Sequence, residues 1–250
     1  MKALKTEESF HDELYPESDG RPMADSTMQY RWIVKIKEGL EILYADDPDV
    51  FVAADLLWYP REGERRVSAA PDVMVVLGRP RGDRGSYRQW EEGGVAPQVV
   101  FEILSPGNRP GEMGDKLGFY ERHGVEEYYV YDPRKNLFEA RVRLGERLRL
   151  IETDDSEWTS PRLKIRFDTR GEELAMFRPD GERFLTPLEE RKRAEQEKKQ
   201  ERSRAERAER EKAREKERAE RAEQEKARAE LEKRHLAEKL RELGIDPEKI

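Results

Sequence analysis

The sequence predicts an α/β domain with a central sheet, followed by a long charged helix. Over the first 185 residues the composition is that of a globular protein, and segments with helical periodicity alternate with β-branched runs. From Thr186 onward nearly every residue is Glu, Lys, Arg, Ala or Gln, which are strong helix formers. We therefore expect a polar leader at 1–24, a globular domain at 25–185, and a helical or coiled-coil tail at 186–250.

The first predicted element is a helix that begins at residues 25–27, all of which are good N-caps. Apolar residues then recur at spacings of three and four, which is typical of one buried helix face. They are Met28, Trp32, Ile36, Leu40 and Leu43. The acidic, proline-containing run at 46–49 ends this helix.

Three predicted strands follow the first helix. The first covers 50–59 and is stopped by Pro60, and the charged segment 61–70 forms a turn. Pro71-Asp72 opens the second strand at 73–77, and Glu102 lies inside the third at 99–104. A long loop at 78–97 separates the second strand from the third.

The remaining elements begin with a helix at 112–123. Its inner side carries Leu117, Tyr120 and Met113, and Gly124 provides the C-terminal stop. A fourth strand at 128–132, a hairpin at 137–143 and 147–151, and a short strand at 163–167 complete the domain. The order is helix, three strands, helix, strand and a β extension, which favours an α/β core around a central sheet.

Two acidic residues interrupt apolar strand patterns that ought to exclude them. A carboxylate in a buried strand needs a partner, a shifted pKa or a metal, because an unpaired buried charge is costly. Asp72 and Glu102 on consecutive strands could hold one Mg²⁺, with Mn²⁺ as the alternative ion. Lys116, on the following helix, could reach back and stabilise developing negative charge. This arrangement is what a metal-dependent phosphodiesterase needs.

A purely structural interpretation stays open for each of these residues. Asp72 could simply begin a strand, Glu102 could serve the core, and Lys116 could lie on a solvated helix face. Asp55, inside the first predicted strand, is a third candidate carboxylate, although an outward-facing position is favoured for it. Asp132-Pro133 is interpreted as a strand-ending turn.

Composition excludes several other classes of chemistry. There is no cysteine, and the three histidines are dispersed, which argues against thiol chemistry and zinc sites. The chain lacks a Gly-x-Ser-x-Gly elbow, and the glycine-rich loop 78–94 lacks the ending of a phosphate-binding P-loop. No apolar run is long enough to span a bilayer, and residues 1–12 do not form a signal peptide. We expect a cytoplasmic protein with no membrane contact.

Three sequence strings resemble one known family. They are Pro71-Asp72-Val73, Val100-Phe101-Glu102-Ile103-Leu104-Ser105-Pro106, and the segment that runs from Lys116 through Tyr120 to Gly124 and Pro133. Together they closely resemble the Uma-two family of restriction endonucleases, which is abundant in cyanobacteria and belongs to the PD-(D/E)XK superfamily. The resemblance covers roughly 25–170. It implies a four-stranded mixed sheet flanked by helices, with Asp72 as the motif aspartate and Glu102 as the second metal carboxylate.

The chain departs from the superfamily pattern at one position. The superfamily lysine stands two residues after the second acid, where this sequence has Leu104. In this family the lysine is displaced to the following helix, which indicates Lys116. Relatives often carry an aspartate four residues before that lysine, and this chain has Glu112. We therefore expect a metal-dependent DNA endonuclease that uses Asp72, Glu102 and Lys116. The alternatives are a catalytically inactive nuclease-fold protein that binds DNA or a protein partner, and a scaffold built on the charged helix.

The partner expected for an endonuclease is DNA. The loop after the Asp72 strand carries four arginines that could contact phosphates, although a solvated loop is an equally good interpretation. They are Arg79, Arg81, Arg84 and Arg88. A homodimer is also expected, since nucleases that cut both strands often work as dimers. The net charge of −7 neither indicates tight non-specific DNA binding nor excludes a nuclease.

The tail is expected to be a solvated helix rather than a continuous coiled coil. Between 189 and 230 its only apolar residues are alanines at irregular spacing, so there is no heptad seam. Pairs of Glu with Lys or Arg three and four residues apart can support such a helix. A short leucine stripe near its end could bind a second copy or a partner helix. It consists of Leu231, Leu236, Leu240 and Leu243, before Gly244.

Overall fold

The computed structural model describes residues 15–18, 20, 23–108, 110–152 and 156–242. Within them the helices are α1 (Thr27–Leu43), α2 (Pro110–Arg122) and α3 (Pro187–Glu242). The strands are β1 (Val50–Ala53), β2 (Trp58–Tyr59), β3 (Val73–Leu77), β4 (Tyr87–Arg88), β5 (Val99–Ile103), β6 (Glu127–Asp132), β7 (Leu137–Leu144), β8 (Arg147–Leu150), β9 (Glu157–Thr159), β10 (Arg166–Asp168) and β11 (Ala175–Phe177). The chain divides into a compact unit, Met1–Glu189, and a second unit, Glu190–Ile250.

The centre of the first unit is a six-stranded mixed sheet in the order β1-β3-β5-β6-β7-β8. Strands β1, β3 and β5 run antiparallel to one another, β5 and β6 are parallel, and β7 and β8 add an antiparallel hairpin. Helix α2 connects the parallel pair, as a crossover must. In the main sheet, the predicted order of helix, three strands, helix, strand and β extension is confirmed.

Each face of the sheet is covered by its own apolar layer. Side chains alternate between faces along a strand, so Val73, Val75 and Phe101 pack against α1 and the small sheet β11-β10-β9. Met74, Val76, Val100 and the α2 residues Phe119 and Tyr120 form the opposite layer. Even-numbered positions of β3 and β5 therefore face α2, which fixes where Asp72 and Glu102 point.

The first predicted strand is divided in the structure. β1 ends at Ala53, and Asp55 has a left-handed backbone (φ 49°) whose amide donates to the carbonyl oxygen of Pro71 at 3.1 Å. The chain then leaves the main sheet, and β2 pairs with β4 in a separate parallel pair. The prediction that Asp55 lies within a strand is therefore wrong, because a turn replaces the ladder there.

Other elements differ in detail. The long loop at 78–97 contains β4, and β9 and β11 were not predicted. The last predicted strand is shorter, β10, because Lys164 takes a left-handed backbone (φ 59°) in the turn before it. Met28 is exposed, while Ile33 and Gln29 share the buried side of α1.

The second unit consists of one helix in its described part. Helix α3 begins in the first unit at a reciprocal cap, in which the Thr186 amide donates to Glu189 and the Glu189 amide donates to the Thr186 hydroxyl. Ion pairs four residues apart follow along it, such as Arg193 with Glu197. Leu231 and Leu236 are exposed. Leu243 and Gly244 lie outside the described residues, as does the side chain of Leu240, and the three-part organisation of the chain stays a prediction.

Candidate active site

Asp72 and Glu102 lie opposite each other on neighbouring strands. The β3–β5 register pairs Val73 with Phe101 and Met74 with Val100. Continued by one residue, it places Asp72 across from Glu102. Residues directly opposite in an antiparallel pair share a face, here the face that packs against α2. The structure therefore brings the two predicted acids together.

The carboxyl group of Asp72 is buried, with 7% of the residue exposed. Its Oδ2 accepts a hydrogen bond from the Ile103 backbone amide at 2.6 Å. Burial, followed by the negative charge of Glu102, raises the pKa of Asp72 to about 8. Lys116 and the hydrogen bonds oppose this shift but do not cancel it. Ionisation of Asp72 is therefore unfavourable in this environment.

Both carboxylate oxygens of Glu102 have donors from α2. Lys116 Nζ donates to Oε2 at 2.6 Å, and the Tyr120 hydroxyl donates to Oε1 at 2.5 Å. The two donors stand four residues apart, so they occupy the same side of the helix. Glu102 itself is 2% exposed. The spacing of Lys116 and Tyr120 explains how one helix holds one buried carboxylate at two points.

The protonation of these two donors follows from their surroundings. Burial would lower the pKa of Lys116, but the charges of Glu102 and Asp72 outweigh burial and raise it. Burial and then the charge of Glu102 raise the pKa of Tyr120 well above its usual value. The lysine is therefore an ammonium and the tyrosine a neutral phenol. The cluster holds two acidic groups against one cation.

Gln29 is a site residue that the sequence interpretation missed. Its Nε2 donates to the Ile103 carbonyl oxygen at 2.9 Å, and its side chain also hydrogen-bonds Asp72. It thereby ties α1 to the end of β5, where both acids converge. A signal was present, because Gln29 stands on the same helix face as Ile33 and Ile36 and is a polar residue among apolar ones.

A cleft of about 1140 Å³ opens beside the two acids. Asp72 and Lys116 line it, and so do Asp55, Arg66 and Arg122. Glu102 is not among the lining residues, but Lys116, which donates to it, is. Asp55, expected to face outward from a strand, instead borders this cleft from its turn.

The four arginines predicted to contact DNA lie elsewhere. Arg79 and Arg84 both pair with Glu92, at 2.9 and 2.5 Å. Arg88 lies 3.5 Å from Glu91, and Arg81 borders a different cavity of about 470 Å³ beside β1. Among the described residues that line the cleft of Asp72, none of these four appears, whereas Arg66 and Arg122 do.

The donor set at Asp72 and Glu102 fits a hard divalent cation. Magnesium takes oxygen ligands and usually needs only one or two protein carboxylates, with water completing its shell. Burial and the charge of Glu102 disfavour the ionised form of Asp72, and a bound cation would favour that form. Within the described part of the chain, no group of three or more His, Cys, Asp or Glu residues is placed to hold a metal. The fit is therefore to a two-carboxylate site.

The family model described as "Uma2: Putative restriction endonuclease" matches residues 35–190, more than half of the sequence. The chain belongs to the Uma2 family, as the sequence resemblance predicted. The matched segment includes Asp72, Glu102 and Lys116.

A solved structure entitled "putative nuclease belonging to DUF820 from Anabaena variabilis ATCC 29413" matches with 14% sequence identity and a TM-score of 0.41. That match covers 56% of this chain and 75% of the other. No curated protein matches the sequence.

In the described residues, no helix is both long and apolar enough to cross a membrane.

Proposed function

We propose that this protein is a metal-dependent DNA endonuclease that hydrolyses phosphodiester bonds. Asp72 and Glu102 hold a divalent ion, Mg²⁺ or alternatively Mn²⁺, and Lys116 assists. One observation carries the proposal: two buried carboxylates face each other across β3 and β5, a single ammonium donates to Glu102, and Asp72 lines the cleft. Membership of the Uma2 family supports it independently.

The chain's own residues have separate tasks in this proposal. When bound, a divalent ion supplies Lewis acidity and a water molecule of lowered pKa. Asp72 is oriented by the Ile103 amide and Gln29, so its carboxylate is held in place before any ligand arrives. Lys116 lines the cleft as an ammonium and offers positive charge to a phosphate that enters there.

The DNA backbone is proposed to follow the cleft, with Arg66 and Arg122 as phosphate contacts. Both line the cleft together with Lys116, and both are exposed. A cation at the rim attracts phosphates regardless of base sequence. A homodimer remains part of the proposal, since cutting both strands of a duplex is simplest with two sites. The cytoplasmic location also stays a prediction.

The test is cleavage of supercoiled plasmid DNA by the full chain. We expect nicking in Mg²⁺ or Mn²⁺, none in EDTA, and none with Glu102→Gln, which keeps the shape of the side chain and removes its charge. Glu139→Gln makes the same change at an exposed residue of β7 and should leave cleavage unaltered. Cleavage in EDTA, or by the Glu102 variant, would contradict the proposal. DNA binding without cleavage in any divalent ion would favour an inactive nuclease-fold protein.

A further inference from the structure

The proposed chemistry assigns no role to the buried hydroxyl of Tyr120. Tyr120 is fully buried and donates to Glu102 at 2.5 Å. Its ring lies among Trp58, Phe119 and Tyr128, with centroids at 6.3, 5.7 and 5.3 Å. Close packing on several sides holds the ring in one orientation. The phenol oxygen is therefore a fixed donor.

The two carboxylate oxygens of Glu102 differ in how easily a ligand could displace their hydrogen-bond donors. Oε1 faces the fully buried Tyr120, whereas Oε2 faces Lys116, whose side chain is 22% exposed and lines the cleft. A lysine side chain is long and flexible and can exchange its acceptor for water or phosphate. The tyrosine can leave only if the aromatic layer repacks. Oε2 is consequently the oxygen that a ligand from the cleft can reach.

We propose that Tyr120 is a positioning residue, which fixes the carboxylate of Glu102 so that Oε2 is presented to a divalent cation entering from the cleft. The inference rests on the proposed function, since it assigns a residue that supports the metal site. A hydrogen bond from a neutral hydroxyl to a carboxylate is short and strong. The hydrogen bond from Tyr120 restrains the rotation of the carboxylate without adding a competing positive charge. Lys116 donates to Oε2, the proposed ligand oxygen, and must move away from it when a cation binds.

Tyr128 provides a matched control within the same aromatic layer. It is 2% exposed and lies on the same sheet face, packed against Tyr120. Among the described residues its phenol oxygen has no hydrogen-bond partner. Tyr128→Phe removes the same atom as Tyr120→Phe from nearly the same place, but it breaks no hydrogen bond to Glu102.

The experiment titrates Ca²⁺ into the full-length protein by calorimetry, without DNA. Loss of a residue that orients a metal ligand typically weakens metal affinity by about 10–100-fold. We expect that loss in Tyr120→Phe and an unchanged affinity in Tyr128→Phe. Cleavage by Tyr120→Phe should require correspondingly more Mg²⁺ but recover its full rate at saturating Mg²⁺. A protein that is merely destabilised would not recover in this way.

Equal Ca²⁺ affinities for Tyr120→Phe and the unaltered protein would overturn the inference, provided that Glu102→Gln abolishes binding. If Glu102→Gln binds Ca²⁺ normally, the proposed function fails as well. A second measurement avoids any folding defect in the tyrosine variant. The strongly hydrogen-bonded hydroxyl proton of Tyr120 should give a downfield proton resonance in the unaltered protein that moves upfield in Glu102→Gln. Absence of such a resonance, or its persistence in that variant, would also overturn the inference.

Discussion

Two carboxylate clusters in the globular domain show what distinguishes a structural ion pair from a candidate site. Glu92 lies between two cations, Arg79 and Arg84. Burial opposes its ionisation, yet hydrogen bonds from both arginines lower the pKa of Glu92. At the other cluster Asp72 and Glu102 share one lysine, and the pKa of Asp72 rises to about 8. At Glu92 the two arginines outweigh burial, whereas at Asp72 burial and the charge of Glu102 outweigh Lys116.

The ionised form of Glu92 is favoured without any ligand, whereas the ionised form of Asp72 is disfavoured unless a cation binds. Arg79 and Arg84 form ion pairs with Glu92 within the loop, and the guanidinium of Arg84 also lies over the ring of Phe51, 3.9 Å from its centroid. Asp72, whose ionisation is disfavoured by burial and by Glu102, stands beside an open cleft. Shifted pKa values beside a cleft are typical of functional sites. This contrast is the reason that we assign the chemistry to Asp72 and Glu102 and a structural role to Glu92.

The largest difference expected between the two clusters comes from removing one cation from each. Lys116→Met should lower the rate of plasmid cleavage by about 10²–10³-fold, the usual cost of losing a group that stabilises developing charge. Arg79→Met should leave the rate unchanged, because Glu92 retains Arg84. Single-turnover rates at saturating DNA and Mg²⁺ measure both. Equal losses in the two variants would remove the distinction between the clusters.

The second effect is an opposite dependence of stability on pH. Because the pKa of Asp72 is raised in the folded state, its contribution to stability is present below about pH 4 and is lost as the pH rises toward 8. Glu92 has a lowered pKa, so its contribution is present above pH 4.5 and is lost as the pH falls further. Urea unfolding of the metal-free protein measures both dependences.

Substitutions separate the two contributions. Asp72→Asn should flatten the decline in the free energy of unfolding between pH 4 and 8, and Glu92→Gln should not. Added Ca²⁺ should reverse the decline in the unaltered protein, since the cation binds the ionised carboxylate. A decline that persists unchanged in Asp72→Asn would show that another group causes it.

A smaller effect concerns the binding of DNA. Arg66→Ala combined with Arg122→Ala should weaken binding in Ca²⁺ and reduce the slope of log affinity against log salt by about one for each arginine that no longer neutralises a phosphate. The matched pair, Arg79→Ala with Arg81→Ala, should change the slope less. Fluorescence anisotropy at several salt concentrations gives both slopes. The reverse ranking would restore the loop after β3 as the DNA-binding surface.

The smallest effect is expected from the tail. Its ion pairs are exposed, and such pairs contribute about 0.3–0.5 kcal/mol each within a helix. Removal of residues 190–250 should leave the melting temperature of the first unit and its Ca²⁺ affinity nearly unchanged. Calorimetry of the shortened chain tests this. A marked fall in melting temperature would mean that the second unit stabilises the first.

Sequence patterns were sufficient to predict the main sheet and the location of both acids at its buried strands, whereas the catalytic role of the acids stays a prediction. Runs such as Val73–Leu77 and Val99–Ile103 are β-branched and buried on both faces, so an acid at 72 or 102 stands out against them. Lys116 was indicated by family resemblance rather than by helical spacing, which favoured a solvated face. Its hydrogen bond to Glu102 depends on how α2 crosses back over β5.

Other features could not be predicted because tertiary contacts decide them. Gln29 reaches Ile103 across 74 residues of sequence, and no local pattern encodes that distance. The turn at Asp55 depends on a hydrogen bond to Pro71, and the short pair β2–β4 depends on that turn. The arginines of the loop after β3 had the right charge for DNA contact. Their partner Glu92 was visible in the sequence, but its position between them was not.

The most direct test of the central claim is a crystal structure of the full chain soaked in Mn²⁺, with anomalous scattering used to locate the ion. The paired acids beside the cleft predict an anomalous peak within coordinating distance of the carboxylates of both Asp72 and Glu102, about 2.0–2.1 Å for a magnesium-like ion. It also predicts that Lys116 no longer contacts Oε2 of Glu102. A fully occupied Mn²⁺ elsewhere, with the contact between Lys116 and Glu102 intact and no peak at these acids, would contradict the account.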